Sequence, residues 1–175
     1  MHEIETERLL LRFPKTEDTD AMLPIRNSEF VQKYNAMRII DRERMFKIIE
    51  KDRDERKALY LFERASGKLI GGIWTEPDES RYDVKSKYLS FYLDEPYARQ
   101  GYMKEALTAV VDMLFTTHPE LAVVASSTFK GNIASQRLLQ SVGFVYEGCI
   151  RKAVCTPRGE IHDDVQFSVL REEWK

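Results

Sequence analysis

A helix that starts directly after a strand, with a glycine at the junction, can bind phosphate. Residues 88–107, YLSFYLDEPYARQGYMKEAL, have that pattern. A strand ends at Leu93, residues 94–98 turn, and Arg99-Gln100-Gly101-Tyr102-Met103 leads into a helix. Met103, Leu107, Val110 and Leu114 repeat along that helix at three- and four-residue spacing. Unpaired amides and the dipole at a helix N-terminus attract anions. Gly101 lets a ligand come close to the backbone, and Arg99 adds positive charge at the mouth. The same residues also fit an ordinary strand-to-helix turn eased by Gly101. A single glycine meets neither the dinucleotide fingerprint nor the P-loop pattern.

A second set of reactive residue types is His162-Asp163-Asp164 with Cys155. Its spacing matches no zinc pattern, so a hairpin held by its own polar residues is expected, and no metal. Cys155 near His162 also suggests a thiol nucleophile. The other cysteine is Cys149. On one extended strand the two would lie about 20 Å apart, too far for a disulfide, which points to reduced thiols.

The elements that would position these groups follow from pattern. Residues 5–13 suggest a first strand, closed by Pro14. Thr16 and Asp18 suit the cap of a short helix toward Arg26, although Pro24 fits its interior poorly. Asp41 suits the cap of a second helix with Met45, Ile48 and Ile49 inward. Strands are expected at 58–63, 69–75 and 88–93, the first two joined by Ala65-Ser66-Gly67-Lys68. After the helix that Pro119 stops, residues 121–127 form a nearly all-apolar strand, as for one buried on both faces. Asn132 opens another helix, and Gly143 is placed as its C-terminal cap. Residues 144–154 and 161–170 make a last strand pair. The order β-α-α-β-β-β-α-β-α-β-β specifies an α/β chain with a mixed, mostly antiparallel sheet of about seven strands and four helices on its faces.

With these motifs in place, the chain resembles the GNAT superfamily of N-acetyltransferases. That family's pyrophosphate loop reads Q/R-x-x-G-x-G/A after a strand. Here Gly101 matches, while Ala98 and Met103 depart. Asn132-Ile133-Ala134-Ser135, then Leu138 and Val142-Gly143-Phe144, is similar to the family's N-x-x-S helix and terminal G-F. The run from Gly143 to Trp174, with Glu147, Gly148, Arg151, Gly159, His162 and Asp163, and the opening TERLLLR resemble the RimJ/RimL-like branch. That branch acetylates protein N-termini, ribosomal proteins and small amines. The resemblance runs nearly end to end and implies one GNAT domain over residues 1–175.

The resemblance implies transfer of an acetyl group from acetyl-coenzyme A to a primary amine, by direct attack within a ternary complex. The acceptor would be a protein N-terminus or a small molecule. Backbone groups of Phe91, Tyr92 and Leu93 would serve the thioester and pantetheine arm. Arg99, Gln100, Gly101, Tyr102 and Met103 would hold the pyrophosphate, and Asn132 the arm. Many members place a tyrosine acid seven residues after the asparagine. Here that position is Leu139, which makes Ser135 the candidate donor to the leaving thiolate. Asn132 also suits a helix cap, and Ser135 a bond to nearby backbone. An α-amino group titrates near 7.7–8.0 and a lysine near 10.4, so a lysine acceptor has the greater need of a base. Glu147 is the candidate base, with a structural bond at a bulge beside Gly148 as its alternative; Glu76 and Tyr92 are weaker candidates. A non-catalytic acyl-coenzyme A sensor of the same fold is the rival reading, allowed by the missing tyrosine and the irregular loop.

Composition bounds the rest. The 175 residues are 43% apolar and 32% charged, which suits a folded chain. A net charge of −2 argues against nucleic acid or an anionic membrane as partner. No apolar run approaches the roughly 20 residues of a membrane span, and the opening MHEIETERLLLRF has no leader pattern, so a cytoplasmic enzyme is expected. A homodimer is the default assembly.

Overall fold

The structure, a computed structural model, describes residues 2–175. The strands are β1 (Ile4–Glu5), β2 (Leu9–Arg12), β3 (Ala58–Glu63), β4 (Leu69–Pro77), β5 (Ser86–Leu93), β6 (Val123–Phe129), β7 (Val145–Cys155) and β8 (Ile161–Leu170). The helices are α1 (Thr19–Asn27), α2 (Glu29–Gln32), α3 (Arg42–Asp54), α4 (Tyr102–Thr117) and α5 (Ile133–Val142). One mixed sheet runs β1-β2-β3-β4-β5-β6-β8-β7. It is antiparallel throughout except between β5 and β6. The α/β class stands, but the described residues hold eight strands and five helices, not about seven and four.

Two local bonds account for much of that difference. The expected strand at 5–13 is split into a small hairpin, because the Thr6 amide donates to the Leu9 carbonyl at 2.9 Å and folds β1 back on β2. Ser28 caps α2, accepting from the Val31 amide at 3.2 Å. Asp18 does not cap α1. Its carboxylate takes Nη1 and Nη2 of Arg12 at 2.9 and 2.7 Å and the Lys15 amide at 2.8 Å, so it ties the end of β2 to the turn instead. Asp41 does cap α3, accepting from the Arg44 amide at 2.8 Å.

The sheet separates two cores because side chains alternate along each strand. On β3, Leu59 and Leu61 join Leu107, Val110 and Leu114 of α4. Ala58 and Tyr60 join Met22 of α1 and Met45 and Ile49 of α3. Burying each large aliphatic side chain stabilises the fold by about 1.5–3 kcal/mol. These two layers therefore outweigh the surface ion pairs and hold the strands from which the site is built.

Candidate active site

β5 and β6 pair only from Ser86↔Val123 to Leu89↔Ser126. Beyond that point β5 stays with β4 as far as Leu93, while β6 stays with β8 as far as Phe129. The two strands therefore part and leave a wedge. At the fork the Ser126 hydroxyl donates to the Leu89 carbonyl at 2.9 Å. That carbonyl faces β6, so alternation turns the main chain of Phe91 and Leu93 the same way, into the wedge. Tyr92 turns its main chain to Gly72 on β4, so of the three expected backbone contacts it is the one not presented. An extended ligand can add to Phe91 and Leu93 as a strand would.

The loop after β5 points its amides outward. Arg99 (φ 61°) and Gly101 (φ 83°) both adopt left-handed conformations, an arrangement that forms anion-binding concavities. The Glu105 amide donates to the Gly101 carbonyl at 3.0 Å, and among the described residues the amides of 99–104 find no acceptor in the chain. No side chain caps α4. The loop is braced by Arg8, whose Nη1 donates to the Gln100 carbonyl at 2.8 Å and Nε to Glu105 Oε2 at 2.7 Å. The same guanidinium lies 4.3 Å from the Tyr102 ring centroid. The Tyr102 hydroxyl donates to Glu63 at 2.5 Å, and Met103 is buried in the core. These two residues thus offer a ligand their amides. Gln100 offers its amide as well, since its Nε2 donates to the Pro96 carbonyl at 2.6 Å. The Arg99 side chain is exposed and forms no ion pair among the described residues.

On the other side of the wedge, α5 begins differently. Asn132 Oδ1 accepts from the Ser135 amide at 3.2 Å, and Asn132 Nδ2 donates to Ser135 Oγ at 3.0 Å. The Ser135 oxygen thus accepts a bond while its own proton remains uncommitted. Leu139 is fully buried in the core, so no proton donor occupies that position. Gly143, at φ 112°, ends the helix.

A cleft of about 330 Å³ opens between α1, α3 and strands β4 and β5. Among its lining residues are Arg26, Asp52, Trp74, Glu76, Ser90 and Tyr92. Tyr92 stacks on Trp74 with centroids 4.6 Å apart. The Trp74 indole donates to Asp52 Oδ2 at 2.7 Å, and Lys57 Nζ lies 3.5 Å from Oδ1. Burial pushes the Asp52 carboxyl up, and the Trp74 and Lys57 contacts offset this only in part. Glu76 is exposed, and its carboxylate forms no hydrogen bond or ion pair among the described residues. Neither Arg26 nor Asp52 was singled out from the sequence. The readable signal was position: Asp52 falls seven residues after Met45 and three after Ile49, and Arg26 four after Met22, each on an apolar stripe.

Glu147 lies at the register shift between Tyr146 and Gly148 on β7. Its Oε1 accepts from Arg81 Nη2 at 2.6 Å and from the Ser168 hydroxyl at 2.7 Å. Arg81 in turn binds Asp78 at 2.7 Å. This network pins the β4–β5 connection to the sheet edge, and Glu147 is absent from the cleft lining. Both bonds to its Oε1 form at the bulge beside Gly148, the place of the structural alternative expected for Glu147. The His162 ring stacks on Phe129 with centroids 4.6 Å apart. Asp163 accepts from the Lys152 amide at 2.9 Å and Lys130 Nζ at 3.3 Å, which together hold its carboxyl below the usual carboxylate range. These groups order the last hairpin. Cys149 and Cys155 both lie on β7 as free thiols.

Residues 8–145 match the family model described as an acetyltransferase (GNAT) domain. The SPbeta prophage-derived uncharacterized N-acetyltransferase YokL of Bacillus subtilis is 27% identical over 129 residues, 73% of this chain and 70% of that protein. A GNAT-family acetyltransferase from Bacillus anthracis superposes with a TM-score of 0.87 at 21% identity, over 97% of this chain and 99% of that one. RimL, a ribosomal L7/L12 alpha-N-protein acetyltransferase solved with coenzyme A, gives 0.82 at 20% identity over 97% and 98%. An uncapped α4 beside a forked sheet, and a family match across most of the chain, lead to one conclusion: this chain belongs to the acetyltransferase (GNAT) family.

Proposed function

We propose that the chain transfers an acetyl group from acetyl-coenzyme A to a primary amine in a ternary complex. The observation that carries this reading is the run of unpaired amides at residues 99–104 next to the open edge of β5. In this reading the amides of Gln100, Gly101, Tyr102 and Met103 hold the pyrophosphate, with Arg99 adding charge. The pantetheine arm extends along Phe91 and Leu93, and the thioester reaches the cleft at Ser90 and Phe91. RimL bound to coenzyme A supports the same use of this fold.

A neutral amine attacks the thioester carbon. A C–N bond forms, the C–S bond breaks, and the products are an amide and the coenzyme A thiol. The amine proton passes to the cleft carboxylates, with unpaired Glu76 the best placed to receive it. The Ser135 hydroxyl, already polarised by Asn132 Nδ2, donates its proton to the leaving sulfur and regains one from solvent, to which Glu76 returns the amine proton. The acceptor is a protein N-terminus or a small amine. The test is calorimetry with acetyl-coenzyme A together with an assay for released thiol across an amine panel. Saturable binding plus amine-dependent thiol release is expected. Binding without release in every amine would instead make the chain an acyl-coenzyme A sensor.

A further inference from the structure

Arg26 lines the acceptor cleft at only 8% exposure. Buried arginines are normally paired with a carboxylate. Among the described residues, Arg26 forms no such pair. Its Nη1 donates to the Arg38 carbonyl at 2.7 Å and reaches Asn27 Oδ1 at 3.4 Å, leaving Nε and Nη2 without an acceptor in the chain. Its electrostatic neighbours are the tyrosines 60 and 92, and burial lowers its pKa from the ordinary arginine value. Tyr60 is itself fully buried, and its hydroxyl has no partner among the described residues. The Tyr92 hydroxyl has only the Met22 sulfur, a weak acceptor, at 3.5 Å. The region around Arg26 is thus rich in donors, and although Asp52 acts on both tyrosines, no carboxylate pairs with the guanidinium among the described residues. The carboxylates of the same cleft are placed otherwise: Asp52 is bound to Trp74 and Lys57, and Glu76 sits exposed on β4.

Building on the acetyl-transfer reading, we propose that the acceptor carries a carboxylate near its amine and that Arg26 binds this carboxylate. A planar guanidinium with two unspent donor nitrogens is suited to a carboxylate fork. A cleft of about 330 Å³ lies at the small end for ligand sites, the size of one amino-acid unit. Its ammonium would then lie toward Glu76 and the thioester. The carboxylate comes either from a free amino acid or from an acidic residue at a peptide N-terminus.

The test compares matched acceptors on the wild-type enzyme: amino acids against their carboxamides, and peptides beginning with Asp or Glu against those beginning with Asn or Gln. A preference of about tenfold to a hundredfold in kcat/KM for the carboxylate member is expected. The class in which it appears identifies the source. Arg26→Gln should abolish that preference by lowering only the carboxylate rate, with the acetyl-coenzyme A KM unchanged, and Arg26→Lys should restore part of it. If carboxamides react as fast as acids, or if Arg26→Gln lowers both alike while the melting temperature holds, the proposal fails. Turnover confined to carboxylate-free amines would overturn this inference and leave acetyl transfer standing. No thiol release with any acceptor would overturn both.

Discussion

Two helices begin at the wedge between β5 and β6, and their first turns are built in opposite ways. α5 is closed by its own side chain, with Asn132 spending its carbonyl on the Ser135 amide and its amino group on the Ser135 hydroxyl. α4 starts at Gly101, which has no side chain to offer, and its leading amides stay unpaired. Both carry the same dipole, so the dipole does not distinguish them. The cap residue does: a capped N-terminus places side chains, and an uncapped one is left open to an anion. The open end is also held from outside, by Arg8 and Glu105, because it lacks the internal bond that fixes α5.

The sharpest way to break this contrast is to fill the open end. Gly101 lies at φ 83°, and an added Cβ would meet only Arg8 Nη2, at 3.3 Å. In Gly101→Val the Arg8 guanidinium must shift by a few tenths of an ångström, and a β-branched residue resists the left-handed conformation. The loop should turn out of it and carry the amides of Gln100 and Tyr102 away from the ligand. Calorimetry should show acetyl-coenzyme A affinity falling more than tenfold, while backbone strain of about 1–2 kcal/mol lowers the melting temperature by only a few degrees. Unchanged affinity would remove the loop from the site.

A smaller effect is expected at the closed end. Ser135→Ala leaves the Ser135 amide on Asn132 but removes the hydroxyl proposed to donate to the leaving group. The kcat should fall about tenfold with the KM for acetyl-coenzyme A nearly constant. Asn132→Ala removes the cap itself, worth about 1 kcal/mol, and should lower the melting temperature by about 2–4 °C. A Ser135→Ala enzyme with normal kcat would reduce Ser135 to a structural partner of Asn132.

What the sequence revealed about this contrast followed sequence distance. Gly101, Asn132, Ser135 and Gly143 lie within or next to the helices they begin or end, and the helical repeat of Met103, Leu107, Val110 and Leu114 locates α4 directly. The fork is different, because it depends on where β6 stops pairing with a strand some 37 residues earlier, as Ser126 and Leu89 show. The bonds of Glu147 are equally non-local, since the Arg81 on its carboxylate lies 66 residues away. Arg26 and Asp52 were hidden by their apolar neighbours, since a period of 3.6 predicts burial without saying what a buried charge faces. The split of the first strand came from one amide bond, Thr6 to Leu9, too local for strand periodicity to reveal.

The smallest effect should appear on acidification, and it separates the two helix starts again. Burial raises the Glu105 carboxyl, but the Thr6 hydroxyl, the Arg8 amide and the Arg8 guanidinium together hold it below the usual carboxylate range. A depressed folded-state pKa means the stabilisation is fully present above the unfolded value of about 4.3 and is lost as pH falls through the folded value. The brace under α4 should hold at neutral pH and release in acid, while the Asn132 cap, which does not ionise, should persist. Because Arg8 is substantially exposed, the pair is worth at most about 1 kcal/mol. Glu105→Gln should therefore lower the melting temperature by about 1–4 °C at pH 7 and flatten the fall below pH 4. Hydrogen exchange, expressed as protection relative to the intrinsic rate at each pH, checks the assignment at the bonded amides of Glu105 and Ser135. Protection lost on acidification at Ser135 rather than at Glu105 would show that the brace is not what holds the open end.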